Sequence, residues 1–525
     1  MKNSVKSIVK SPLSFSLSFY KKKLKNSVIL KLYGKVICID IKNLNYVNFE
    51  IKDIKLKIIN YYLENIPLKK SFKDHLINHL YINNTSLHRK TCLIKFLLDN
   101  NSNGIKKITA LFLSKRDIKL FKSFHIQINK IKTIKPNFTF LSILKQILRE
   151  KLKSDRSIKF YDEKKSHFDK NIKYYTLIRD WKLDAEDIHV NKIKKSMSNT
   201  IIYLKPDIKG LCKSKKKVKY LEYLRENEQN HFEYYPKVNF YNILKKAVKI
   251  YLKSYPNEIK LNMVQILIER EWIDKFLIYI IKKFPYIQEF YTKEEYYTGT
   301  TYLSQKLKEN NIKTINYAHG LGVYCPIVNY DEFYVFSKMQ ASYYDGCTKF
   351  KYFGSKSPLT IKNYDKDNSI ALLFICQNIL SHINSNSIKD SYKKIIQFVE
   401  KLALDMKIQI FAKYHPLSKD VDMILSKNIQ IIDNIEALPK GYNYLALTFY
   451  STYSVDLLNQ MPFLILNPNE KVNLQYHFPN KDILYVKTYN ELKKRIEDFL
   501  YNSKNYYEYW NNLISITNDF FYDSN

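Results

Sequence analysis

Apolar and polar positions settle into a regular alternation from about residue 285 onward. Pro285–Tyr291 predicts a strand, Gly299–Asn310 a helix with one polar face, and Lys313–Ala318 a strand that ends at His319-Gly320. Glu332–Ser337 predicts a strand, 338–345 a helix, and Phe350–Phe353 a strand ending at Gly354. After a charged break at 362–368 the alternation restarts. Ser369–Cys376 is almost continuously apolar, as a central strand of a parallel sheet must be when helices cover both its faces. Residues 388–406 repeat apolar positions at helical spacing. Strands follow at Lys407–Phe411, Gln430–Ile432 and Tyr444–Leu447, then a short helix at Val455–Gln460. Strands at Phe463–Leu466 and Ile483–Val486, a helix at Glu491–Leu500 and a helical tail over 501–522 complete the pattern. Strands alternating with helices predict parallel sheets with right-handed crossovers.

The first half is less regular. Lys35–Asp40, Lys107–Leu113 and Thr200–Leu204 read as strands, and Ile51–Leu63 and Leu76–Leu98 as helical. The dense charge over 150–170 predicts a surface loop, and 213–230 reads as an exposed helix or insertion. The expected class is α/β, with two Rossmann-like domains facing a central cleft and a helical C-terminal tail. The expected limits are a basic tail at 1–25, an N-terminal domain at 26–360 with helical insertions, a C-terminal domain at 361–490, and helices at 491–525.

Composition sharpens this picture. In 525 residues there are 87 Lys+Arg and 50 Asp+Glu, a formal charge of +37. Only eight of the basic residues are arginine, and Lys, Ile, Asn and Tyr are all abundant, which AT-rich coding produces without selection for charge. Either origin favours acidic partners. Aromatics at 15% exclude disorder for the bulk of the chain, and nine glycines exclude collagen-like and linker-like chains. Six cysteines with no Cys-x-x-Cys pair read as reduced thiols, without zinc spacing. No apolar run reaches the roughly 18 residues of a membrane span. Residues 1–35 carry nine Lys before the first acid, Asp40, interleaved with Leu13, Phe15, Leu17 and Phe19. Such a segment suits an anionic membrane surface, at roughly 1 kcal/mol per Lys near the lipid.

Three short motifs carry candidate chemistry, each at a strand's carboxyl end, where open α/β sheets bind ligands. In Ala318-His319-Gly320 an imidazole, titrating near neutrality, is followed by a glycine that lets a ligand approach the backbone. Gly354 offers the same approach after its own strand. In Lys413-Tyr414-His415-Pro416 a compact cationic pair suits a phosphate, while Pro416 stops the sheet. Thr448 to Ser454 is a hydroxyl-rich turn before a helix. Ser451, Thr452 and Ser454 there are ordinary N-cap chemistry, and also the chemistry of a phosphate site. No P-loop, Gly-x-Gly-x-x-Gly or Gly-x-Ser-x-Gly motif is present.

In order and spacing, these motifs over roughly 285–490 resemble the GT-B-fold transferases of bacterial surface polysaccharides. The similarity is to the capsule transferases of the Kdo and sialic-acid type and to the CDP-glycerol glycerophosphotransferases. The resemblance implies an inverting transferase that uses a nucleotide-activated donor, with no cofactor and no metal, and a glycan or lipid-linked acceptor. It implies a cytoplasmic protein, peripheral at the inner face of the membrane. It makes His319 the catalytic histidine, and Lys413, His415, Pro416, Ser451, Thr452 and Ser454 the donor-phosphate residues. Ala318 departs from the family's usual Gln or Trp before His-Gly. The acidic-acidic-Gly motif of bacterial sialyltransferases is absent, which leaves Glu294 and Glu295 as fallback bases. Two other readings compete. A sugar-nucleotide 2-epimerase would need several carboxylates in the cleft. A basic nucleic-acid-binding protein would account for the charge, but no recognition motif supports a specific nucleic acid.

Overall fold

The computed structural model describes residues 27–32, 35–40, 48–99, 107–110, 115–126, 130–131, 140–160, 167–180, 199–204, 230–253, 255, 257–318, 323–352, 360–362, 364–377, 386–414, 428–449, 457–468 and 481–521. It is an α/β protein that divides into two units. One gathers most of the chain up to Lys351. The other runs from Tyr352 onward and takes in Ile39–Phe49 and Phe336–Met339.

The first unit begins with a small sheet of β1 (Ser27–Leu32), β2 (Lys35–Asp40), β3 (Lys107–Ala110) and β4 (Lys130–Ile131), in the order β2-β1-β3-β4. β1 pairs antiparallel with β3, and β3 pairs parallel with β4. Its main sheet has seven strands: β5 (Thr176–Asp180), β6 (Thr200–Leu204), β7 (His231–Glu233), β8 (Glu289–Thr292), β9 (Lys313–Tyr317), β10 (Glu332–Val335) and β11 (Lys349–Tyr352). Their order is β11-β10-β9-β8-β5-β6-β7, and every pairing from β10 to β7 is parallel. Counted from β5 as the first strand, this is 3-2-1-4-5-6-7, the doubly wound order. The helices Phe240–Leu252, Asn257–Lys283 and Thr300–Lys308 contribute Ala247, Phe276 and Leu307 to one core with Leu177, Tyr203, Phe232 and Phe290 of the strands.

The second unit holds β12 (Ser369–Ile375), β13 (Ile410–Lys413), β14 (Ile429–Ile432), β15 (Tyr442–Thr448), β16 (Phe463–Leu466) and β17 (Tyr485–Val486). The order β14-β13-β12-β15-β16-β17 is again 3-2-1-4-5-6, and all five pairings are parallel. β12 is central, as its apolar run predicts. All its residues except Ser369 are buried, because neighbouring strands and the 386–405 helix leave it no wet face. The C-terminal helices Tyr489–Tyr501 and Ser503–Phe521 belong to this unit's core. Trp510 is buried and its indole donates to the Leu458 carbonyl at 2.7 Å, and the Tyr506 hydroxyl donates to the Tyr444 carbonyl at 2.7 Å.

Several expectations need correction. The charged stretch expected as a loop over 150–170 is helical to Phe160, within the helix Phe140–Phe160. Lys, Arg and Glu are good helix formers, and Ile143 and Ile147 bury its inner face. The helical stretch Leu76–Leu98 is two helices, Lys70–Asn83 and Thr85–Asp99. Asn84 turns extended between them and its side chain accepts the Leu87 N–H at 3.0 Å. The strand expected at Pro285 begins at Glu289, after a turn. The strand expected at Lys407 begins at Ile410, since Lys407 takes φ 49°, outside the extended region. Residues 457–460 form a turn rather than a helix, and 483–484 close a short helix before β17. The tail 1–25 and most of 213–230 lie outside the described residues.

Candidate functional site

The strand order of each sheet turns back at one place, between its first and fourth strands, and their carboxyl ends there form the natural ligand crevice. In the first unit those strands are β5 and β8. Arg179, next to last in β5, has its side chain fully buried, and its guanidinium pairs at 2.9 Å with Glu294, also fully buried, just past β8. Burying a guanidinium is tolerable only with such a partner. Its planar face also lies 5.6 Å from the Trp272 ring and 5.3 Å from the Tyr297 ring. Asn316 of β9 ties the loop in place. Its side-chain oxygen accepts the Glu294 N–H at 2.9 Å, and its Nδ2 donates to Glu295 at 3.4 Å. Thr300 donates its hydroxyl to the Glu294 carbonyl at 2.8 Å. Burial, with Glu295 beside it, pushes the Cys325 thiol well up, and the Tyr330 and Tyr344 phenols likewise. These groups stay neutral. Glu294 and Glu295 are both buried and committed to polar partners, so neither presents a carboxylate to solvent. β9 leads to Ala318, whose N–H donates to the Tyr334 carbonyl at 2.8 Å. His319 and Gly320 follow immediately and lie outside the described residues, as does Gly354.

In the second unit the order turns back between β12 and β15. The Cys376 N–H donates to the Lys413 carbonyl at 2.9 Å, so β12 and β13 stay in register to their carboxyl ends. Lys413 is half-buried, its ammonium 3.5 Å from the Asp433 carbonyl. The Tyr392 hydroxyl accepts the Gln377 N–H at 2.7 Å, and its ring stacks between Phe374 and Phe449. Burial pushes the Cys376 thiol up, which keeps it inert. β15 ends at Thr448 and Phe449, both fully buried. Ser451, Thr452 and Ser454 come next in the chain, and His415 and Pro416 follow Lys413 and Tyr414. All five lie outside the described residues. Of the expected site residues, the structure therefore describes Lys413, Glu294 and Glu295. It sets Lys413 in one unit and the two glutamates in the other.

Sequence reasoning missed two clusters. Arg179 stands on β5, a strand not anticipated. The signal was arginine's rarity, because a chain built on lysine uses arginine where geometry demands a planar cation. The second cluster joins the 70–83 and 257–283 helices. His75 meets Glu269 at 2.8 Å, Thr298 donates its hydroxyl to the same carboxylate at 3.0 Å, and His79 Nε2 meets Gln265 at 2.8 Å with its Nδ1 3.6 Å from Glu269. Burial lowers the His75 pKa. Burial acts the same way on His79, but the hydrogen bond and charge of Glu269 outweigh it and raise that pKa. Burial works to raise the Glu269 pKa, and the two imidazoles outweigh it, holding the carboxyl well below its usual range. The signal was the i, i+4 spacing of His75 and His79, just where the helix was expected to begin. Among the described residues, no group of three or more His, Cys, Asp or Glu is placed to hold a metal ion. No described helix is long and apolar enough to cross a membrane.

No protein-family model and no curated protein matches the chain. Among solved structures, the chain is similar to a glycosyltransferase of kitacinnamycin, with a TM-score of 0.39, 7% identity, and coverage of 66% of this chain and 96% of that one. It is similar to the spinosyn rhamnosyltransferase SpnG at a TM-score of 0.38, with the same identity and coverage. For the glycosyltransferase SnogD from Streptomyces nogalater the TM-score is 0.37, again with 7% identity and 66% and 96% coverage. At that level these similarities assign no residue and no activity to this chain.

Proposed function

We propose that the chain is a transferase of GT-B type that moves a sugar or glycerophosphoryl group from a nucleotide-activated donor to a hydroxyl acceptor. The observation that carries the reading is the topology of the second unit. Its sheet has the nucleotide-binding strand order, and the hydroxyl-rich 448–454 segment starts at the carboxyl end of β15, next to β12 where the order turns back. Lys413 ends β13, the strand on the other side of β12. In this reading Lys413 and His415 neutralise the donor phosphate. Ser451, Thr452 and Ser454 give it hydroxyls and free N–H groups. His319 accepts the acceptor's hydroxyl proton as the acceptor oxygen forms the new bond, and the nucleotide leaves with the bonding electron pair. With inversion this takes a single displacement. The acceptor is a growing glycan or a lipid-linked saccharide, and the role is in bacterial cell-surface polysaccharide synthesis. Donor binding belongs to the second unit because the matching position of the first is filled by Arg179 and Glu294.

The 2-epimerase reading needs carboxylates free to meet substrate. Glu294 and Glu295 follow β8 and Glu233 ends β7, three strands away, and all three are fully buried. The test is a thermal-shift and turnover screen with CMP-, CDP-, UDP- and GDP-linked donors. One nucleotide should stabilise the protein, and His415→Ala should reduce that shift at a given ligand concentration. If no donor shifts the melting temperature, or the shift is undiminished in His415→Ala, the reading falls.

A further inference from the structure

The helices Phe140–Phe160 and Phe240–Leu252 share one core through their inner faces, Ile143 and Ile147 on the first, Ile243 and Ala247 on the second. Their outer faces break the usual rule for a soluble surface. Leu141, Leu148 and Leu152 are 71%, 57% and 58% exposed. At about 100° per residue these three fall within an arc of about 40°, on the side away from Ile143 and Ile147. Three exposed leucines aligned on one stripe are not the scattered single apolar residues of an ordinary surface. Lys145, Arg149 and Lys151 flank the stripe and are exposed. Glu150, the one acid over 141–152, points to the inner side of the helix and accepts a hydrogen bond from Gln146 at 3.2 Å. The second helix repeats the design. Tyr241 and Leu252 are each 75% exposed, Lys245, Lys246 and Lys249 lie exposed between them, and no acid occurs from 234 to 257.

We propose that the outer faces of these two helices are a docking surface for an anionic lipid bilayer. A helix that lies in a membrane interface presents leucines to the acyl boundary and lysines or arginines to the headgroups, and both requirements are met here on neighbouring helices. The alternatives fit less well. A nucleic-acid backbone pairs with the cations but has no use for three exposed leucines. A second copy of this chain would set a cationic face against itself. The surface is separate from the basic segment at 1–25 and does not depend on the transferase reading.

The test is co-sedimentation of the full chain with phosphatidylcholine vesicles, with and without about 30% phosphatidylglycerol, at about 0.1 M salt. The protein should bind the anionic vesicles, lose binding as salt rises, and ignore the neutral ones. The triple variant Leu141→Asn/Leu148→Asn/Leu152→Asn should partition at least tenfold more weakly with an unchanged melting temperature, because the replaced side chains are already exposed. Lys145→Gln/Arg149→Gln/Lys151→Gln should lose as much while keeping the leucines, so the idea stands on two independent variants. Wild-type binding by the leucine variant overturns the proposal. So does equal binding to neutral vesicles, or loss of binding on deletion of residues 1–25 when both helix variants bind normally.

Discussion

The two parallel sheets share one strand order and differ at the place where that order turns back. In the first unit the position between β5 and β8 is closed by the buried pair of Arg179 and Glu294, braced by Asn316. In the second unit the ends of β12 and β15 themselves carry Ile375, Cys376, Thr448 and Phe449, none of them charged, and Lys413 stands alongside at the end of β13. One topology thus serves two ends. A crevice that supplies its own ion pair holds loops in place and has no room for a ligand's charge. A crevice with neutral walls, followed by hydroxyls and a Lys-His pair, leaves its charge to be supplied by a ligand. In the proposed function the first crevice is structural and the second takes the nucleotide.

The sharpest way to break the comparison is to remove one half of the buried pair. Arg179→Met or Glu294→Gln leaves a fully buried partner without its counter-charge, at a cost of about 3–5 kcal/mol. The double change Arg179→Met/Glu294→Leu should recover most of that, since an apolar pair needs no counter-charge. Urea unfolding followed through Trp272, which lies 5.6 Å from Arg179, reports the first unit. Lys413→Gln, at the corresponding edge of the second unit, should change stability by less than about 1 kcal/mol. If the single variants are as stable as wild type, the pair is not what closes the first crevice.

Next in size are the effects on ligand. His415→Ala should weaken nucleotide binding by about 1.5–3 kcal/mol, the value of a charge-assisted hydrogen bond. His319→Ala should remove turnover and leave nucleotide affinity within about twofold of wild type. Titration calorimetry together with initial rates separates the two. Equal loss of affinity in both variants would mean that the nucleotide is not held by the second unit alone.

Legibility followed burial. β12 was plain because a strand covered on both faces has to be apolar throughout, and Thr200–Leu204 and Phe463–Leu466 were readable for the same reason. β5 was not, because its five residues include Arg179 and Asp180, and a charged pair at a strand end looks like a turn. The 140–160 helix was obscured because its outer face carries both leucines and cations, which blurs the helical period. The His75–Glu269 contact joins residues 194 positions apart, so no local pattern could announce it. The three strand-end motifs were legible as motifs, since each follows an apolar run. Arg179 and Asn316, which brace the strand ends, act through tertiary contacts and left only arginine's rarity as a trace.

The smallest expected effect is also the one in which the units differ by chemistry rather than topology. The first unit buries His75 and His79 against Glu269, while the described part of the second contains no histidine. Each group's sign can be worked out. The lowered His75 pKa means that folding holds it neutral, so its contribution is complete above about pH 6.5 and is lost as pH falls below that. The raised His79 pKa works the other way: its contribution is complete below about pH 6.5 and is lost as pH rises through the folded value. The depressed Glu269 pKa gives stability above about pH 4.3 that is lost at lower pH. In wild type these two histidines therefore oppose each other around neutrality, while His88, whose pKa burial lowers to about 4, makes the first unit lose stability as pH falls below about 6.5. Glu269→Gln removes what raises His79, and burial then lowers both imidazoles. The variant should be about 1 kcal/mol less stable at pH 6.5, a modest figure because the carboxylate is one-quarter exposed. Its stability should also fall steadily as pH drops from 6.5 to 5. Urea midpoints read through Trp272 between pH 5 and 8 check this, with Trp510 reporting the second unit as an internal control whose curve should not move. Parallel pH curves for wild type and Glu269→Gln would show that His79 is not held protonated by that carboxylate.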